Sequence, residues 1–162
     1  MDLSATHLHL MLNHLPVIGT GLVLLIMLWG VVRRSRDVLL TGLGLTVLLA
    51  LAAPVVKKTG EDAEEQVEKA AWFDEDMVHE HEERGETAVI VLMVTGVIAL
   101  AGVVTARGGR DVRPVVAYAA TAFLAASAAL MAWTALAGGR IRHEEIRPGA
   151  VQAATPGEGD DR

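Results

Sequence analysis

Four runs without a charged side chain fix most of what this chain can become. They are Leu15 to Val32, Val38 to Val56, Thr87 to Ala106 and Val115 to Gly139. A bilayer core takes about 20 apolar residues at ~1.5 Å each, and every run meets or nearly meets that length. The first reaches upstream to Leu8 if His9, Asn13 and His14 are tolerated, so the expected spans are about 8–32, 38–56, 87–106 and 115–139. Lipid forbids an open sheet edge, and four strands cannot close a barrel. The expected fold is therefore all-α: an integral membrane four-helix up-and-down bundle over residues 1–139, with a polar, flexible tail over 140–162.

Basic residues set the expected orientation. Arg33, Arg34 and Arg36 crowd the first short loop, and Arg107, Arg110 and Arg113 crowd the third. The positive-inside bias puts both loops in the cytoplasm of a bacterial inner membrane, with both termini and the outer loop 57–86 on the periplasmic side. No basic stretch precedes the first apolar run, so no cleavable signal peptide is expected. Trp29 and Trp133 fall where interfacial aromatics belong.

The outer loop carries twelve carboxylates against four basic side chains. Thr59 and Asp62 have capping-box spacing, and Ala63, Val67 and Ala70 share a face. This pattern predicts a short amphipathic helix from Gly60 to about Trp72 on the outer surface, with Trp72 and Phe73 entering the headgroups. Asp74 is the expected cap of a helix that runs through His79 and His81 into the third span.

The histidines narrow the chemistry. All six, His7, His9, His14, His79, His81 and His143, fall on the outer side of this topology. Three open the first helix and two open the third, and facing helices of a bundle build cofactor sites between them. With no cysteine, thiolate zinc, iron–sulfur clusters and covalently attached haem are excluded, which leaves imidazoles and carboxylates as ligands. A net charge of −6 argues against nucleic acid as a partner. Two imidazoles can hold a b-type haem axially, and a flat macrocycle needs small neighbours. Gly21 lies seven residues after His14, while Gly85, Ala88 and Gly96 follow the face of His81; His79 leads to the wetter Glu83 and Glu86.

Depth complicates the pairing. His14 is 19 residues from Arg33, whereas His81 is 26 from Arg107, so His14 sits about 10 Å deeper in straight helices. His7 is level with His81. The pair is therefore His14–His81 with an irregular start to the third helix, or His7 or His9 replaces His14, or two haems bind. Asp76-Met77-Val78-His79 offers a carboxylate-plus-imidazole spacing for a non-haem metal. Without any cofactor, the same histidines simply solvate helix ends.

The segment His9-Leu10-Met11-Leu12-Asn13-His14-Leu15-Pro16-Val17-Ile18 resembles the opening of a family of small bacterial membrane domains of unknown function. The first helix of that family begins His-Pro-x-x-Val-His-Phe-Pro-Ile; His9, His14 and Pro16 match, and Leu10, Asn13 and Leu15 depart. Gly60-Glu61-Asp62 and His81 are similar to its Gly-plus-acid and third-span His, so the resemblance covers roughly residues 7–106. It implies a four-helix bundle that binds b-type haem beside redox modules. The expected function is thus a haem b subunit relaying electrons at the periplasmic face of a respiratory or photosynthetic complex, without catalysis of its own. His14 and His81 are the expected axial ligands, and Arg140 or Arg142 would pair with propionates. Lipids, other subunits of the complex and a quinone are the expected partners. The rival reading is a cofactor-free accessory subunit that stabilises a complex through the small-residue span four and the acidic loop.

Overall fold

The computed structural model describes residues 4–148. Its helices are α1 (Ala5–Leu12), α2 (His14–Arg33), α3 (Arg36–Val67), α4 (Glu75–Thr105) and α5 (Pro114–Arg142), followed by a 3-10 turn at Glu144–Ile146. No strand occurs among the described residues. The architecture is the expected all-α four-helix bundle. The unit α1–α2 and the helices α3, α4 and α5 are each long and apolar enough to cross a membrane.

The helices pack in a ring, α2 on α3, α3 on α4, α4 on α5 and α5 back on α2, while α1 lies on α3. At the centre Met27, Leu43, Leu92 and Leu124, one from each long helix, are fully buried. Each long helix also buries one hydroxyl there: Thr20, Thr46, Thr95 and Ser127. Each donates to a carbonyl of its own preceding turn, so no hydroxyl is stranded in an apolar layer. Thr95 and Ser127 also meet each other at 3.1 Å. Close approach comes from small residues: Gly42 under Met27, Gly102 under Leu43, and Gly96 against Ala50.

The two arginine-rich turns lie at the same end. Arg36 ties them together, donating from Nε to the Arg110 carbonyl at 2.9 Å and from a terminal nitrogen to the Ala106 carbonyl at 3.2 Å. At the α2–α3 turn Arg34 takes the left-handed conformation (φ 49°), and Ser35 N–H reaches back to the Gly30 carbonyl at 3.0 Å. Glycine normally holds this closing position.

The opposite, histidine-bearing end departs from expectation in three places. No separate amphipathic helix forms at 60–72. Instead α3 continues without a break through Pro54 and Gly60 to Val67, 11 residues or ~16 Å beyond its apolar run. Lys57–Glu61 and Lys58–Asp62 pairs one turn apart support this extension, and Val56, Thr59 and Ala63 bury its inner face. Thr59 is no cap, since its hydroxyl donates to the Val56 carbonyl. Second, α5 runs on to Arg142, past the expected end of its span, and the chain then folds back. Ile146 lies on Gly139, and the Arg147 guanidinium closes the helix by donating to the Arg140 and Ile141 carbonyls. The flexible tail expected from 140 is therefore ordered structure up to 148, and 149–162 lie outside the described residues. Third, the first span divides into two helices at Asn13, which keeps helical dihedrals (φ −61°, ψ −27°) and donates to the His9 carbonyl at 2.9 Å. Asp74 does cap α4, its carboxylate accepting from Met77 N–H at 3.2 Å.

Candidate functional site

Two imidazoles turn inward at the histidine end, and each is held the same way. His9 on α1 donates from Nδ1 to the Val56 carbonyl of α3 at 3.2 Å, with the Thr59 hydroxyl 3.3 Å away. His81 on α4 donates from Nδ1 to the Thr134 carbonyl of α5 at 3.0 Å. A carbonyl can only accept, so the proton sits on Nδ1 in both rings and Nε2 carries the lone pair when the ring is neutral. Fixing a ring through Nδ1 is how proteins aim a ligating Nε2. Neither Nε2 hydrogen-bonds to protein, and neither is among the sealed unpaired atoms, so both open to their surroundings.

Each ring also lies flat against a glycine of its neighbouring helix. A Cβ on Gly60 would stand 3.1 Å from Cε1 of His9, and one on Gly138 would stand 2.8 Å from Cε1 of His81. His9 and His81 sit on diagonal elements: no Cα of α1 lies within 8 Å of one in α4. Burial, reinforced by the Arg84 cation, holds His81 below the usual imidazole value, with the Thr134 carbonyl opposing the shift. Arg84 itself stacks on Trp133 at 4.2 Å and pairs with Glu80.

The other histidines are placed elsewhere. His14, expected opposite His81, is exposed on the outside of the bundle, its Nδ1 bonded to the Leu10 carbonyl at 2.8 Å. The cause is helical phase: His14 is five residues after His9, about 140° around the helix, so with His9 turned to α3 its side chain points away. His7 is exposed and bonded to Ser4, His79 is exposed beside Glu83 at 3.4 Å, and His143 bonds Glu145 at 2.8 Å. Among the described residues no group of three or more His, Asp or Glu side chains converges on one point, so the Asp76–His79 spacing does not build a carboxylate metal centre.

Two imidazoles carry open Nε2 atoms, but the cradle expected from the small residues does not exist. Gly21 has nothing within 4 Å, Gly85 touches Thr134, Ala88 is fully buried, and Gly96 is filled by Ala50. Gly85, Ala88 and Gly96 close the helices on one another, and Gly21 faces outward. Arg142 stacks on Trp72 at 4.0 Å, which draws Trp72 onto the end of α5, and the Arg140 Nε is sealed without a partner.

Several members of this end carry no local sequence signal. Gly60, Gly138 and the Val56 and Thr134 carbonyls matter only because distant helices meet there. The Thr134 hydroxyl and the Asn13 Oδ1, one turn after His9, are buried without partners. Glu64 of α3 and Glu82 of α4 share a hydrogen bond, which with burial raises the Glu64 carboxyl above the usual range.

No family model, no curated protein and no solved structure matches this chain.

Proposed function

We propose that the chain is a multi-pass membrane protein of a bacterial inner membrane whose periplasmic end holds a b-type haem through His9 and His81, serving as an electron-relay subunit of a larger complex. The observation that carries this reading is the matched pair of inward imidazoles, each tied through Nδ1 to a main-chain carbonyl with Nε2 open. The arginine-rich end, closed by Arg36, is the cytoplasmic one by the positive-inside bias. A bound haem would supply one-electron chemistry, and the chain contributes ring orientation and a polar rim.

Absorption spectra of the purified protein test the proposal. A reducible Soret band with sharp α-bands is expected, lost on His9→Ala or His81→Ala and kept on His14→Leu. Colourless protein from haem-replete cells ends the haem reading. The cofactor-free accessory subunit then stands in its place, a role favoured by the closed packing of Gly96 on Ala50 and by the outward small face Ala122, Ala125, Ala126 and Ala129 of α5.

A further inference from the structure

A groove of about 380 Å³ opens between α3 and α4, and neither His9 nor His81 lines it. We propose that it binds one zwitterionic phospholipid whose headgroup ends in a primary amine. The inference rests on the chain lying in a membrane, and is independent of any haem.

The groove has two levels. Its lower wall is Pro54, Val89, Ile90 and Met93, an apolar surface belonging to the second and third apolar runs. Met93 is seven residues below Glu86, so the apolar floor extends ~10 Å from the charged rim into the hydrocarbon level. The rim is Lys57, Lys58, Glu61 and Glu86, the first charges met on leaving the membrane along either helix. An acyl chain suits the floor, and the rim dictates the headgroup.

The rim carries two ammoniums and two carboxylates, and Asp62 beside Lys58 adds a third carboxylate. These groups are already paired: Lys57 reaches Glu86 across the groove at 3.2 Å and Glu61 on its own helix at 3.8 Å, and Lys58 reaches Glu61 at 3.3 Å and Asp62, just beyond the rim, at 2.8 Å. An anionic headgroup would satisfy the lysines but press on Glu61 and Glu86. A headgroup with one phosphate and one ammonium fits both signs, the phosphate accepting from Lys57 and Lys58 and the amine donating to Glu61 and Glu86. A primary amine offers three donors to two carboxylates, whereas a quaternary amine offers none.

Native mass spectrometry of the full-length protein in detergent, with phosphatidylethanolamine, phosphatidylcholine, phosphatidylglycerol and a long-chain quinone supplied in turn, reads the site. Phosphatidylethanolamine is expected to be retained at one copy and to raise the thermal midpoint. Met93→Trp, which fills the floor, and Glu86→Gln, which removes an amine acceptor, should each weaken retention roughly tenfold. Both residues face outward, and unchanged helicity by circular dichroism verifies folding. Equal retention of all three phospholipids overturns the proposal while leaving the chain a membrane protein. Retention insensitive to both variants, or preferential capture of the quinone, overturns it as well. Solubility of the intact protein without detergent instead removes the membrane reading beneath it.

Discussion

The imidazole of His81 rests on the bare backbone of Gly138, 2.8 Å from where a Cβ would stand. That contact lets Nδ1 reach the Thr134 carbonyl one turn earlier on α5 and so decides where Nε2 points. Gly138→Ala should push the ring off its acceptor and destabilise the bundle by about 1–3 kcal/mol, the range for overpacking a filled site. Thermal unfolding in detergent measures the loss. An unchanged midpoint would show that the ring moves aside without cost.

In the haem-free protein, protonation of His81 gives stability a pH slope. Its folded-state value lies below the ordinary 6.5, so between the two values the unfolded chain binds more protons than the folded one. Stability therefore rises with pH through that window and falls as the pH drops below about 6.5. Unfolding midpoints measured on either side of the window should show this slope, and His81→Gln should flatten it.

Glu64 acts in the opposite sense. Its shared hydrogen bond with Glu82 raises it, so the folded state binds more protons than the unfolded chain above the ordinary 4.5. The stabilisation is complete below 4.5 and is lost as the pH climbs through the raised value. Glu64→Gln keeps a donor for Glu82 and removes the repulsion between two carboxylates. It should raise the midpoint at neutral pH and leave it nearly unchanged in acid.

Two glycines expected to make room for a haem, Gly21 beside His14 and Gly96 on the face of His81, separate by packing. A side chain at Gly96 meets Ala50 inside the bundle, whereas Gly21 has open space around it. Gly96→Leu is expected to cost about 3 kcal/mol or more and to perturb folding. Gly21→Leu should be neutral or slightly stabilising through better helix propensity. Comparing both variants by unfolding in detergent tests this, and equal effects would contradict the helix arrangement.

Arg34 holds a left-handed turn that favours glycine, at a strain of roughly 1–2 kcal/mol for a side chain. Arg34→Gly should stabilise the arginine-rich end by about 0.5–1 kcal/mol once the extra freedom of unfolded glycine is subtracted. Denaturant titration checks the sign.

The sequence by itself determined the four helices, because apolar runs near 20 residues without a charge have one stable form in lipid. It also determined the Asp74 cap and the gathering of His9, His14 and His81 toward one end, since caps are local and helix direction follows from the order of the runs. Tertiary structure decided which imidazoles are held by a neighbouring helix, His9 by α3 and His81 by α5. Five residues, about 140° of helix, separate His9 from His14, so only one of them can turn to α3, and the position of α3 decided that it is His9. Tertiary structure also carried α3 past Lys57: a segment rich in charge reads as a loop until Val56, Thr59 and Ala63 find neighbouring helices to bury against. Gly60 and Gly138 owe their roles to contacts across the fold, made by residues 51 and 57 positions away in the chain. Helix formation answers to lipid and to near neighbours; the aim of a side chain answers to whatever the fold brings alongside it.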